Sequence, residues 1–139
     1  MKKYKIFFWT ATIFIFLFEG VMPVGTLLFD PQNFNVGTKP LGYPDYFAYT
    51  LIIFKGLGAM ALIIPGVHPR IKEWAYAGFT FNLIFAVISH IVVDRNIGFI
   101  ITPVVVGVIL FVSYYYNLKI NNQWARQPIN SPVSSGISQ

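Results

Sequence analysis

The sequence lacks cysteine altogether and has only two histidines, His68 and His90. Without cysteine the chain forms no disulfide, thiol nucleophile, cysteine-bound zinc site or iron–sulfur cluster, so a redox role would require a borrowed cofactor or a partner subunit. The sequence also has no phosphate-binding glycine loop, no G-x-S-x-G turn and no H-E-x-x-H pair. We therefore predict no catalytic residue and no metal ligand, and no cofactor motif is evident.

Charged residues are also scarce. They make up 11% of the chain, against about 25% in soluble domains, while hydrophobic residues make up 55% and the mean hydropathy is +0.61. So few polar residues cannot cover the surface of a soluble globule. The composition predicts an integral membrane protein, and a length of 139 residues fits one domain.

Four apolar runs approach the roughly 20 residues that a helix needs to cross the hydrocarbon core. They span Ile6–Leu28, Tyr46–Ile64, Trp74–Val93 and Phe99–Leu118. The runs are apolar on every side rather than alternating, which favours helices over the strands of a β-barrel. The predicted fold is all-α, an antiparallel up-down-up-down bundle of four transmembrane helices in residues 1–118. Residues 119–139 are polar and are predicted to form a flexible cytoplasmic tail.

The first run follows the basic stretch MKKYK, a combination that secretory signal peptides also show. Signal peptidase requires small residues in an A-x-A-like pattern, and the following EGVMPVGTLLF is bulky instead. We therefore expect the first helix to be retained.

Basic residues outside the runs predict the orientation, because Lys and Arg concentrate on the cytoplasmic side. Only Lys39 and Arg95 fall at one end of the bundle, and seven fall at the other. The seven are Lys2, Lys3, Lys5, Arg70, Lys72, Lys119 and Arg126. Both termini are therefore predicted to be cytoplasmic. Since these residues are scattered over membrane flanks, the lipid bilayer is the expected partner and nucleic acid is not.

Two ionisable residues interrupt the first and second runs. Glu19 lies nine residues before Leu28 and Lys55 nine residues after Tyr46, so both are predicted about 13–14 Å below the same membrane boundary. An unpaired charge at that depth costs about 2.5–3.5 kcal/mol. We therefore predict a buried Glu19–Lys55 ion pair. The pair either fixes helix register or forms a polar centre that binds substrate or passes protons.

Polar residues of the third run extend this candidate polar centre. Asn82 has an estimated depth of about 16–17 Å and is a third candidate member, although an amide there commonly only links helices. Ser89 lies two helical turns from Asn82 on the same face, and His90 is about 100° further round. Ser89 and His90 are secondary candidates, and we expect His90 to be an anchor or a hydrogen-bond partner of the outer loop rather than a titrating site residue.

Other local features receive a structural interpretation. Gly56 and Gly58 thin the second helix and predict close packing against a neighbour. Pro103 is expected in the first turn of the fourth helix, where its missing N–H would be unpaired anyway. Glu73 is expected in the first turn of the third helix, where the helix dipole favours an acid.

The stretch KEWAYAGF (Lys72–Phe79), followed about ten residues later by Ser89 and His90, carries a family resemblance. Together with LGYPDYFAYTLIIFKGLGAMALIIP, it makes roughly residues 5–118 resemble the DoxX-like family of small bacterial membrane proteins. The motif residues are Lys72, Glu73, Trp74, Tyr76 and Gly78. The resemblance implies a four-helix bundle in the bacterial inner (plasma) membrane, related to DoxX, which is named after a subunit of a thiosulfate:quinone oxidoreductase.

The chain departs from the family pattern in the third run. Relatives commonly have F-D-L-x-G-A where this sequence has FNLIFA at positions 81–86. Asn82 therefore stands in place of an acid and cannot carry a proton, which argues against a carboxylate relay on this helix. Phe85 stands in place of a glycine and fills space that a ligand or a neighbouring helix would otherwise use.

Two classes of function follow from these observations. The first is an accessory or anchor subunit of a membrane-associated complex, and the family association suggests that the complex is redox-active and quinone-linked. Such a subunit is not catalytic alone, and it has a protein partner or forms a homo-oligomer. The second is a small-solute or proton-coupled carrier that uses Glu19 and Lys55. A quinone is the one cofactor that the resemblance suggests, and a catalytic quinone oxidoreductase is a third, weaker hypothesis.

Overall fold

The computed structural model describes residues 2–125, and it contains four long helices. We label them α1 (Lys2–Phe29), α2 (Asp45–Ile63), α3 (Pro69–Val92) and α4 (Ile97–Ala125). A short 3₁₀ helix, Lys39–Leu41, lies in the 30–44 connection between α1 and α2. Each long helix contains a segment that is long and apolar enough to cross a membrane. The predicted all-α bundle of four transmembrane helices is confirmed, and residues 2–125 contain no strand.

Three helix boundaries differ from the predicted ones by four residues or more, and the first is the start of α1, which lies at Lys2 rather than at Ile6. α3 begins at Pro69 rather than at residue 74, because the His68 side chain caps it by accepting a hydrogen bond from the Arg70 N–H at 3.2 Å. Proline suits the first helical position, since its fixed φ is already helical. α4 continues to Ala125, so the first part of the predicted tail is helical. The rest of the predicted tail, residues 126–139, lies outside the described residues.

The early starts of α3 and α4 correct two expectations. Glu73 lies in the second turn of α3 rather than in the first, so the predicted interaction with the helix dipole is wrong. Pro103 lies inside α4, which begins at Ile97, rather than in its first turn. There it cannot donate to the carbonyl of Phe99, four residues earlier, and that helical hydrogen bond is missing.

α1 departs from α-helical geometry in its middle. Residues Phe16–Val21 form a π-helix, and the Met22 N–H donates to the carbonyl of Leu17, five residues earlier. Pro23 follows directly, and its ring would clash with the carbonyl of Glu19 in a regular α-helix. The wider turn removes that clash. It also sets the direction in which Glu19 projects from the helix.

Contacts between neighbouring helices pair residues in opposite sequence order. Gly20 faces Ala59, whereas Gly56 faces Val24, as expected for helices that run in opposite directions. The Phe79 ring of α3 lies against Gly58, so close that a Cβ at residue 58 would be 3.0 Å from it. The predicted role of Gly56 and Gly58 in close packing is therefore confirmed.

The core of the bundle is small and its exterior is apolar. Eight buried residues form the central cluster, namely Ile15, Ala59, Leu62, Tyr76, Phe79, Leu83, Val106 and Leu110. Large apolar side chains such as Phe29, Trp74 and Phe111 are 90%, 76% and 66% exposed. Such a surface is unstable in water and suits the hydrocarbon of a bilayer.

Candidate functional site

The structure brings Glu19 and Lys55 together, as their matched depths predicted. Lys55 Nζ lies 2.8 Å from Glu19 Oε2, and the two side chains are 19% and 5% exposed for the lysine and the glutamate respectively. At this distance the lysine ammonium donates to the carboxylate, and the Glu19 Oε2 atom is enclosed by protein. An ammonium has three donors and a carboxylate has two oxygens, so a single contact between them leaves hydrogen-bonding capacity on both partners.

The π-helix positions the acidic member of the pair. Glu19 lies in the Phe16–Val21 segment, and the next residue, Gly20, packs directly against Ala59 one turn from Lys55. This contact holds α1 and α2 so close that the lysine reaches the carboxylate across the interface. Single π-turns within α-helices frequently mark functional sites. Nothing in the residue pattern of the first run predicted this π-turn.

The ion pair opens into a cavity of about 430 Å³ at the end of the bundle that the 30–44 connection covers. We call it the Lys55 cavity. Its polar lining includes all five predicted residues: Glu19, Lys55, Asn82, Ser89 and His90. The rest of the wall is mainly apolar and partly aromatic, with Phe18, Phe85 and Phe99 among its members. A mostly apolar cavity with a few convergent polar groups is typical of a small-molecule site.

Asn82 lines the Lys55 cavity without joining the ion pair by a hydrogen bond. Its side chain is half-buried and makes no hydrogen bond to another described residue. Asn82 therefore shares the cavity with Glu19 and Lys55, and no hydrogen bond joins it to either residue in the structure of residues 2–125. The amide remains available to a molecule that occupies the cavity, as it carries two donors and an acceptor.

The 30–44 connection lines one side of the Lys55 cavity and is held to the bundle by polar contacts. Tyr43 Oη lies 3.0 Å from Ser89 Oγ, which ties the end of the connection to α3. Asn35 donates a hydrogen bond of 2.6 Å to the Asp45 carboxylate, which fixes the connection to the start of α2. Ser89 is thus a loop-bonding residue as well as a lining residue.

His90 bonds with the turn that joins α3 to α4. His90 Nδ1 lies 2.9 Å from Asp94 Oδ2, and the imidazole ring is 5.5 Å from the ring of Phe99. The hydrogen bond from His90 holds the pKa of Asp94 below its usual value of 3.8, and the Asn96 N–H, 3.2 Å away, adds to this effect. The loop-bonding role considered for His90 is therefore present in the structure.

A second polar cluster lies deeper in the bundle, and the sequence reasoning missed it. The Ser113 hydroxyl lies 2.8 Å from Thr12 Oγ1 and 2.7 Å from Tyr76 Oη, so it links α1, α3 and α4. Thr12 and Ser113 are fully buried and Tyr76 is 4% exposed. The sequence pattern marks Tyr76 only as a motif residue. Small hydroxyl groups inside apolar runs were the available signal, because such groups commonly link membrane helices.

The remaining motif residues are spread over the surface of α3. Trp74 and Gly78 are exposed, and Glu73 lines a groove of about 470 Å³ between α3 and α4 together with Tyr76 and Tyr114. That groove is slightly larger than the Lys55 cavity but carries one ionisable acid and no basic residue. Of these two recesses, only the Lys55 cavity is lined by both an acid and a base. Lys72 lies in the first turn of α3.

A family model described as the DoxX-like family matches residues 8–113 of the chain. The match covers α2 and α3 completely, together with most of α1 and the greater part of α4. The chain therefore belongs to the DoxX-like family. Searches of curated proteins and of solved structures found no match.

Proposed function

We propose that this DoxX-like protein is a membrane-embedded binding subunit that holds the polar head of a lipid-soluble ligand beside Glu19 and Lys55. The observation that carries the proposal is the unused capacity of the pair. A single contact of 2.8 Å joins Lys55 Nζ to Glu19 Oε2, and both residues line a cavity of about 430 Å³ to which Asn82 contributes an amide that has no hydrogen bond to another described residue. A pair that only fixed helix register would be expected to have its hydrogen bonds satisfied.

The shape and lining of the cavity favour a ligand that is itself partly apolar. Aromatic walls formed by Phe18, Phe85 and Phe99 suit a ring or an unsaturated group, while Lys55 can donate to a carbonyl oxygen. A quinone head combines both properties and is the first class to test. Since the chain has no cysteine, a redox role would require a borrowed cofactor or a partner subunit, which agrees with an accessory role.

The carrier hypothesis receives less support from the geometry. A carrier needs a polar route that continues past the pair toward the other end of the bundle. On that side Ile15, Leu62 and Leu110 are packed with 0%, 1% and 3% exposure. In this conformation the apolar core closes the cavity, as a binding site requires.

Binding of a quinone head can be tested with the full-length protein in nanodiscs. The probe is a dimethoxy-methyl-benzoquinone without a chain, and the readout is the shift in melting temperature. A ligand at 100 times its Kd stabilises the folded state by about 2.7 kcal/mol. We expect the quinone to raise the melting temperature of the wild type and of Thr80→Val, because Thr80 lines the groove between α3 and α4 rather than the Lys55 cavity. The Glu19→Gln/Lys55→Met double variant should show no rise in melting temperature. A rise equal to that of the wild type would contradict the proposal.

A further inference from the structure

His90 belongs to the wall of the Lys55 cavity but not to the Glu19–Lys55 pair. It lies eight residues beyond Asn82 on α3, which places it about 12 Å further along the helix at 1.5 Å per residue. Asn82 and Lys55 line the same cavity. The cavity therefore carries polar groups at two levels along the bundle, and a ring with oxygens at its opposite ends can contact both levels.

One nitrogen of the His90 ring is used outside the cavity. Nδ1 lies 2.9 Å from Asp94 Oδ2, and Asp94 belongs to the turn after α3 rather than to the cavity wall. This hydrogen bond holds the pKa of Asp94 below 3.8, so its carboxylate is ionised near neutral pH and can only accept. Nδ1 of the neutral imidazole therefore carries the ring proton.

The other ring nitrogen, Nε2, is free to bind a ligand. The contact with Asp94 is the only hydrogen bond that the imidazole makes within residues 2–125. The His90 side chain is nevertheless 18% exposed, and the ring of Phe99, 5.5 Å away, also lines the cavity. On the imidazole ring Nε2 points away from Nδ1, and hence away from Asp94. With the proton on Nδ1, Nε2 is a bare hydrogen-bond acceptor.

We infer that His90 Nε2 accepts a hydrogen bond from a hydroxyl group of the ligand head, so that the site selects a hydroquinone over the corresponding quinone. The inference rests on the proposed function, because it assigns the second polar contact of the same ligand. Lys55 can donate to one oxygen of the ring in either form. At the other end of the ring a hydroquinone hydroxyl donates to Nε2, whereas a quinone carbonyl would place its lone pairs against the lone pair of Nε2.

Protonation of His90 should weaken this selection. A proton on Nε2 turns the nitrogen into a donor, which serves a carbonyl and a hydroxyl oxygen alike. Asp94 remains ionised and balances the new charge, and Arg95, the other charged residue of the turn, is exposed. The remaining ionisable groups of the described cavity wall are listed by element: Glu19 from α1, Lys55 from α2 and Tyr43 from the 30–44 connection, with none from α4.

The experiment compares two oxidation states of one head. The full-length protein in nanodiscs is titrated under nitrogen with the dimethoxy-methyl-benzoquinone or with its hydroquinone, and each melting temperature is compared with that of the same protein without ligand. His90→Phe keeps a ring but has no nitrogen. Asp94→Ala, in an exposed turn, allows the ring proton to occupy either nitrogen. His68→Asn is the matched control, since His68 caps α3 outside the cavity and asparagine also caps helices.

At about pH 8, where a histidine is neutral, the wild type and His68→Asn should bind the hydroquinone about tenfold more tightly than the quinone. This factor corresponds to one net hydrogen bond. His90→Phe should bind both forms equally, and Asp94→Ala should show a smaller preference than the wild type. Between about pH 8 and about pH 5 the preference should decrease in the wild type and stay constant in His90→Phe.

A spectroscopic measurement identifies the ring nitrogen that takes part. His68 and His90 are the only histidines of the chain, so His68→Asn, purified without a histidine tag and carrying isotope-labelled histidine, gives the nuclear magnetic resonance signals of His90 alone. The hydroquinone should shift the Nε2 resonance and leave the proton on Nδ1. If His90 only held the turn, the ligand would leave the Nε2 resonance unchanged.

Three outcomes overturn the inference: equal binding of the two forms by the wild type at about pH 8, an unchanged preference in His90→Phe, or an Nε2 resonance that does not respond to the hydroquinone. Failure of the proposed function looks different. In that case the quinone does not raise the melting temperature of the wild type, or Glu19→Gln/Lys55→Met responds to it as the wild type does. Binding of the quinone and preference between the two forms are separate measurements.

Discussion

Gly20 and Ala59 hold α1 and α2 in direct contact next to the Glu19–Lys55 pair. A Cβ at residue 20 would lie 2.5 Å from the Cβ of Ala59, closer than two carbon atoms can approach. Only glycine therefore permits this separation of the two helices. The close approach brings the lysine of one helix within reach of the carboxylate of the other.

Replacement of Gly20 by alanine should push α1 away from α2. We expect the free energy of unfolding to fall by about 1–3 kcal/mol, as for other overpacked sites. Gly25→Ala is the matched control, since its Cβ would meet no atom within 4 Å. Unfolding in detergent measures both changes. Ala59→Gly should rescue Gly20→Ala, and a lack of rescue would show that the contact is not the cause.

Neutralising one member of the ion pair should destabilise the protein more than neutralising both. Lys55→Met or Glu19→Gln alone leaves a buried charge unpaired, at a cost of about 3–5 kcal/mol. The double variant removes both charges and should regain most of that stability. A double-mutant cycle on thermal melts in detergent measures the coupling. Simple additivity of the two single effects would rule out a coupled pair.

The Thr12–Ser113–Tyr76 cluster should contribute to stability but not to ligand binding. Ser113→Ala leaves the buried hydroxyl groups of Thr12 and Tyr76 without this partner, at a cost of about 1–3 kcal/mol. The triple variant Thr12→Val/Ser113→Ala/Tyr76→Phe removes all three hydroxyl groups, so none of them is left buried without a partner. The loss of unfolding free energy per hydroxyl group removed should therefore be smaller than in Ser113→Ala. Unfolding free energies test this order. Altered affinity for the quinone probe in Ser113→Ala would contradict the purely structural role.

Stability should depend on pH through Asp94. Its pKa in the folded protein is below the ordinary value of 3.8, chiefly because of the hydrogen bond from His90. Asp94 therefore stabilises the folded state at pH values above 3.8, and this contribution disappears as the pH falls through the lower, folded pKa. We expect Asp94→Asn to melt earlier than wild type at neutral pH and to match it in strong acid. A difference that is independent of pH would refute this assignment.

The proposed orientation, with both termini in the cytoplasm, can be tested because the chain has no cysteine of its own. Val36, in the 30–44 connection, is 60% exposed, and Ser135 lies outside the described residues. In intact cells an impermeant thiol reagent should label Val36→Cys and not Ser135→Cys. Lysis should make both accessible. The reverse pattern would invert the topology, which rests on the distribution of Lys and Arg.

Composition and residue spacing are enough to predict the class of fold and the contact at its polar centre. Four apolar runs and scarce charge are sufficient for a transmembrane bundle, because an apolar segment in lipid must satisfy its backbone hydrogen bonds internally. The Glu19–Lys55 contact was also predictable, since two opposite charges at one depth are strongly favoured to pair. These features depend on composition and on position along a helix, which the sequence shows directly.

How these helices form a site depends on their packing, which residue spacing does not predict. The π-turn around Glu19, the link through Ser113 between three helices, and the position of Asn82 in the same cavity as the ion pair depend on which helix faces overlap. Residue spacing fixes the angle of a side chain on its own helix, but it does not fix the rotation of one helix against another. In a bundle that is apolar on every side, that rotation is set by close contacts such as Gly20–Ala59, because hydrophobicity does not distinguish the face toward lipid from the face toward protein.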